Sequence, residues 1–130
     1  MATRLAWLIV LIHALVSGVH GFAHYRLGIT LSTFQSVYVM LVITVWPLWA
    51  AGLLWIGKTR AAFVNLALAM GGAFVFGVYW HYVARSPDNV FHQHEGSLQT
   101  LFCVTAALLM VLESCGAMVS GWGFLGRRSG

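Results

Sequence analysis

Apolar residues dominate four long stretches of the chain, and short polar stretches separate them. About 20 consecutive apolar residues make a helix long enough to cross roughly 30 Å of hydrocarbon. The pattern predicts four helices, over residues 5–24, 33–55, 61–84 and 97–122. We therefore expect an all-α protein in which residues 1–130 form one integral membrane four-helix bundle.

The polar stretches carry signals for helix ends and turns. Ser32 is a candidate N-cap for the second helix. Pro47 lies inside that helix and is expected to kink it, because proline cannot donate a hydrogen bond to the carbonyl group of Ile43. The longest connection follows the third helix and begins with Ser-Pro-Asp-Asn, a turn signal, at residues 86–89.

Composition supports membrane insertion: 60% of the residues are hydrophobic, 8% are charged, and the mean hydropathy is +0.84. The net charge of +4 does not indicate nucleic-acid binding, because the basic residues lie at segment ends and form no patch. By the positive-inside rule both termini are predicted to be cytoplasmic, in a protein of the bacterial inner (plasma) membrane. The prediction weighs Arg26 and Arg85 on one side against five residues on the other: Arg4, Lys58, Arg60, Arg127 and Arg128.

The first apolar segment also has a second interpretation. Arg4, the apolar stretch and Val19-His20-Gly21 resemble the three parts of a cleavable signal peptide. Cleavage there would remove His13 and His20 from the mature protein, so the sequence of its N-terminus decides between the two interpretations.

Cysteine chemistry is not indicated. Cys103 and Cys115 lie twelve residues apart in one predicted helix, which separates them by about 18 Å along the helix axis. They cannot pair with each other. The sequence also lacks the Cys-x-x-Cys-His motif that attaches c-type haem.

The histidines are the candidate functional residues. His13, His20 and His24 share one face of the first helix, since steps of seven and four residues return to nearly the same bearing. Imidazole is costly to bury in hydrocarbon without a partner, so such a face indicates a functional site. On the predicted topology, candidate metal ligands gather at the outer membrane face: His20, His24, His81, His92, His94 and Glu95.

Two kinds of cofactor suit these residues. A haem b held by two histidines would use His81 with His20 or His24, and Gly77 would leave room for the macrocycle. A site of imidazoles and a carboxylate would use more of the set and suits copper, zinc or iron. The spacings His20-xxx-His24 and His92-x-His94 resemble fragments of the histidine boxes of membrane di-iron desaturases and hydroxylases. Most of that family's histidines have no counterpart here, so no function is carried over.

A second polar feature lies deeper in the bundle. Glu113 and His13 are expected at similar depth on the fourth and first helices, and a carboxyl group in hydrocarbon needs a partner. One interpretation is a hydrogen-bonded pair that fixes helix register. The other is a proton path through Glu113, His13, Ser17 and His20.

These observations leave three functions open. The favoured one is a membrane protein that binds a transition metal or haem for electron transfer or metal handling. The others are an accessory subunit of a larger respiratory or transport complex, and a proton or metal-ion carrier that uses His13 and Glu113. In each case the lipid bilayer is a partner, and we expect a homo-oligomer or a subunit of a membrane complex. Whether the protein is an enzyme is left open.

Overall fold

Four long helices make up most of the protein in a computed structural model that describes residues 1–92 and 96–126. They are α1 (Ala2–Leu27), α2 (Thr33–Trp55), α3 (Thr59–Val83) and α4 (Ser97–Leu125), and each is long and apolar enough to cross a membrane. A short 3₁₀ helix, Val90–His92, precedes α4. The predicted all-helical class and the four long apolar helices are confirmed, whereas membrane insertion and the orientation of the termini stay predictions.

Local signals at the helix ends explain where the helices begin and end. The Ser32 side chain accepts a hydrogen bond from the Gln35 backbone while the Gln35 side chain accepts one from the Ser32 backbone, so the predicted cap is a full capping box. Helix α1 ends at Gly28, whose φ of 67° is a left-handed conformation that glycine adopts without strain.

Two helices contain π-helical turns, which the sequence analysis did not predict. In α2 the turn covers Val39–Val45, directly before the Trp46–Trp55 segment that contains Pro47. Proline removes one backbone donor, and a wider turn before it is a way to accommodate that loss. In α3 the turn covers Tyr79–Val83 and therefore includes His81. Such turns are frequent at functional sites.

Helix α4 is the centre of the bundle, because α1 and α3 both pack along it while α2 packs on α3. The buried core includes Phe63, Leu66, Met70 and Phe102. Helix α1 contacts α2 mainly at the Trp46–Trp55 segment, so the rest of α2 stands apart from α1. This separation leaves a cleft between the two helices.

Candidate metal centre

Three histidines meet at one end of the bundle. His20 and His24 come from successive turns of α1, and His81 comes from the π-helical turn of α3. Each offers a ring nitrogen, and these nitrogens all lie within 4.8 Å of one another. The structure thus brings together three of the residues that the sequence analysis selected as ligands.

A fourth donor, Asp88, was missed by the sequence analysis. Its carboxylate oxygen Oδ1 lies 3.0 Å from His24 Nε2 and 3.3 Å from His81 Nδ1. The Asp88 side chain is almost fully buried. The Ser-Pro-Asp-Asn signal was the available clue, because Asp88 belongs to the turn that it predicted.

The turn that carries Asp88 is held by its neighbours. The backbone nitrogen of Asn89 donates to the Ser86 carbonyl group at 3.1 Å. The Asn89 side chain donates to the Ala84 carbonyl group at 2.8 Å and accepts from the Phe91 backbone at 2.9 Å. These bonds fold the loop back over the end of α3, so that Asp88 faces the histidines.

Hydrogen bonding determines which nitrogen of His20 is free. His20 Nδ1 lies 2.8 Å from Thr105 Oγ1. The single hydroxyl proton of Thr105 is donated to main-chain carbonyl groups one turn back in α4, Leu101 at 2.7 Å or Phe102 at 3.0 Å. Thr105 therefore accepts from His20, which places the imidazole proton on Nδ1 and leaves a lone pair on Nε2.

The two ring nitrogens of His24 have unequal surroundings: Nε2 has two close polar neighbours, and Nδ1 has none that forms a hydrogen bond within the described residues. Its Nε2 lies 3.2 Å from His20 Nε2 and 3.0 Å from Asp88 Oδ1, so a single proton would have two acceptors. Its Nδ1 is buried and has no hydrogen-bond partner within residues 1–92 and 96–126. Among the described residues, Asp88 Oδ1 also lacks a partner with hydrogen-bond geometry, although two imidazole nitrogens are close to it. These potential ligand atoms therefore lie close together without meeting one another's hydrogen-bonding needs.

His81 is anchored by the same loop. Its Nδ1 donates to the backbone carbonyl group of Asp88 at 2.9 Å. A histidine that ligates a metal commonly donates its other ring N–H to a carbonyl group or a carboxylate, which fixes the ring. This bond leaves Nε2 of His81 as the available ligand atom.

Phe102 on α4 supports all three imidazole rings. Its ring stacks on His20 with centroids 4.9 Å apart, and the centroids of His24 and His81 lie 5.1 Å and 5.5 Å from it. The Phe102 side chain is fully buried. The histidine rings are therefore held on three sides, by α1, α3 and α4.

The local charge favours a cation. Burial of the Asp88 carboxyl group opposes its ionisation, yet the adjacent imidazoles of His24 and His81 hold its pKa well below the usual range. Asp88 is therefore an anion at neutral pH, in a place where a charge needs a partner.

Of the other predicted ligands, His92 is the one that the structure describes. His92 is exposed at the end of the 3₁₀ helix and is not part of the group. His94 and Glu95 lie outside the described residues.

The deeper polar pair is present. His13 Nε2 lies 3.3 Å from Glu113 Oε1, and both side chains are buried. Ser17 has a buried hydroxyl group with no hydrogen-bond partner in the part of the chain that the structure describes. All three residues line a cavity of about 370 Å³ that also reaches His20, His24, His81 and Asp88. The pair and the histidine cluster therefore line one cavity, and the proton path between them stays a prediction.

Comparison with known proteins gives no relative. No family model, no curated protein and no solved structure matches the chain. Function must therefore be argued from the site itself.

Proposed function

We propose that this protein is an integral membrane protein that binds one divalent transition-metal ion, copper, zinc or iron, through His20, His24, His81 and Asp88, for electron transfer or metal handling. Three imidazoles and one carboxylate are a donor set that these metals accept, and no thiolate is involved.

The spacing of the donor atoms carries the proposal. Metal bonds to imidazole nitrogen and carboxylate oxygen of about 2.0–2.1 Å imply edges of about 3.3 Å in a tetrahedron. The contacts His20 Nε2 to His24 Nε2 and His24 Nε2 to Asp88 Oδ1 measure 3.2 and 3.0 Å, and a ring nitrogen of His81 lies within 4.8 Å of those of His20 and His24. Small rotations of the side chains would bring lone pairs to one point at this spacing.

A metal ion would also replace the close contact between the two Nε2 atoms of His20 and His24 by two metal bonds. The lone pairs of both nitrogens would bind the ion, and the proton of His24 would then be on Nδ1. The buried Asp88 carboxylate would gain a positive partner. The bonds from His20 to Thr105 and from His81 to the Asp88 carbonyl group would stay in place as supports for the ligands.

The same contacts favour a single ion over a haem. A haem held by two histidines needs their rings on opposite faces of a flat macrocycle. Here the rings of His20 and His81 pack edge to face with their centroids 5.0 Å apart, and Phe102 packs against all three imidazole rings. A macrocycle would have to displace those rings.

A metal titration of the purified protein tests the proposal. The protein is stripped with a chelator in a mild detergent and titrated with Co²⁺, whose visible spectrum reports tetrahedral nitrogen and oxygen ligands, and then with Zn²⁺ in competition. We expect one ion per chain in the wild type and in His92→Ala, the matched control for an exposed histidine.

Three single variants complete the experiment: His20→Ala, His24→Ala and His81→Ala. Each is expected to lose the tetrahedral spectrum while it keeps the helical circular dichroism of the wild type. A folded wild-type protein that binds no ion, or variants that bind as the wild type does, would contradict the proposal.

A further inference from the structure

The cavity beside the histidine cluster has the features of a binding site for a second kind of ligand. It lies in the cleft between α1 and α2, with α3 and α4 behind it. Its walls are mostly apolar and include Ile43, Leu48, Phe76 and Leu109. Its volume, about 370 Å³, is in the lower part of the range of small-molecule sites.

The mouth of the cleft faces sideways, between two spans. Exposed residues line it on both helices: Ala14, Gly18 and Gly21 on α1, and Thr44 and Leu48 on α2. With four spans in a bilayer, a lateral opening at this position meets lipid and not water. A ligand that uses this mouth comes from the hydrocarbon phase and is itself largely apolar.

Small residues keep the mouth open. A Cβ atom added at Gly18 or Gly21 would meet no atom within 4 Å, so the space beside each glycine is free. Helix α1 thus presents a flat face to the cleft where larger side chains would fill it.

The back of the cleft offers one distinct polar group. Glu113 Oε1 contacts His13, while Oε2 lies toward Gly77, 3.6 Å from the position that a Cβ there would take. No hydrogen bond to Oε2 is found within the described part of the chain. A carboxylate or carboxyl oxygen accepts a hydrogen bond, and a buried acceptor is best matched by a hydroxyl donor.

The volume limits the size of the ligand. A 150 Å³ apolar cavity in another protein holds one benzene molecule. By the same ratio, this cavity has room for about 15 non-hydrogen atoms. An alkylphenol of that size would place its chain against the apolar walls and its hydroxyl group at Glu113.

We propose that the cleft between α1 and α2 binds an apolar molecule of the alkylphenol type, which enters from the lipid phase and donates a hydrogen bond from its hydroxyl group to Glu113. The inference uses the membrane placement of the proposed function but not the metal ion.

Photolabelling in lipid nanodiscs tests this. The probe is a 4-alkylphenol with a diazirine in its chain, and labelled positions are located by mass spectrometry. We expect label on the cavity-lining parts of α1 and α2, around Gly18 and Ile43. Unlabelled 4-hexylphenol should compete about tenfold better than hexylbenzene, which lacks the hydroxyl group.

Variants separate specific binding from general contact with lipid. Gly18→Leu fills the mouth and should abolish the labelling, and Gly21→Leu repeats the test if the first variant fails to fold. Gly71→Leu is the matched control, because a Cβ at Gly71 also meets nothing and Gly71 does not line the cavity. Glu113→Met keeps a side chain of similar length but removes the acceptor, so it should abolish the preference for the phenol.

Three results would overturn the inference. They are labelling that Gly18→Leu and Gly21→Leu leave unchanged, equal competition by hexylbenzene, and a second copy of the chain cross-linked across the cleft. The labelling is run on chelator-stripped and on Zn²⁺-loaded protein. If the protein takes the label but fails to bind Zn²⁺, only the proposed metal function is refuted. If it binds Zn²⁺ but takes no label, only this inference is refuted.

Discussion

Replacing Thr105 with valine tests how the histidine cluster is prepared for a metal. Valine keeps the shape of threonine but removes the oxygen that accepts from His20 Nδ1, 2.8 Å away. His20 then has a buried N–H group without a partner whenever the proton is on Nδ1. Since Nε2 can bind a metal only in that tautomer, the penalty falls on the metal-bound state.

The magnitude follows from the cost of an unpaired buried donor, about 1–3 kcal/mol. The metal-free protein can escape part of this cost, because His20 can move its proton to Nε2 and donate to His24 Nε2, 3.2 Å away. The metal-bound protein cannot. We therefore expect the dissociation constant for Zn²⁺ to rise about 10- to 100-fold, the range found for partners of metal-ligating histidines.

Competition with a chelator of known affinity measures this change. Thr100→Val is the matched control, because it makes the same substitution on α4 at an exposed position whose hydroxyl group donates to the Gly96 carbonyl group. It should bind Zn²⁺ as the wild type does. Equal affinities of Thr105→Val and Thr100→Val would refute the tautomer argument and remove Nε2 of His20 from the ligand set.

Three further predictions concern stability. An added Cβ at Gly123 would lie 2.5 Å from Phe63, whereas one at Gly121 would meet no described atom within 4 Å. Gly123→Ala should therefore lower the free energy of unfolding, measured in detergent, by about 1–3 kcal/mol relative to Gly121→Ala. His13→Ala leaves Glu113 buried without its partner and should lower the free energy of unfolding by about 1–3 kcal/mol. Glu113→Gln keeps an acceptor for His13 and should lower it less. Equal losses of unfolding free energy in the two variants would contradict the pairing. Burial would raise the pKa of Asp88, but the adjacent imidazoles lower it, so its ionised form stabilises the fold above the usual carboxyl pKa of about 4. The difference in unfolding free energy between wild type and Asp88→Asn, measured without metal, should shrink as the pH falls below that value. A difference that grows in acid would show the wrong sign.

The sequence was sufficient for the helices because length and hydropathy alone select membrane spans. The bounds of α2 were predicted without error. The other three helices differ from the predicted bounds by no more than three residues at either end. The apposition of His20 and His24 follows from helical periodicity, and that of His81 from equal depth on a neighbouring span.

Asp88 could not be predicted as a ligand, because its position depends on how the loop folds over α3. The bonds of Asn89 to Ala84 and Phe91 determine that fold, and no periodicity encodes them. His92 was placed in the site because it is near α4 in sequence, but the 3₁₀ helix leaves it exposed. The cleft depends on the incomplete packing of α2 against α1, which the apolar pattern does not specify.

The most direct test of the metal centre is the X-ray absorption spectrum of the Zn²⁺-loaded wild-type protein. Three imidazoles and one carboxylate predict four nitrogen and oxygen neighbours at about 2.0–2.1 Å, with the outer-shell scattering of histidine rings. The same spectrum from His92→Ala should be unchanged. A first shell of six oxygen atoms without imidazole scattering would show that the ion is bound elsewhere, and the central claim would be wrong.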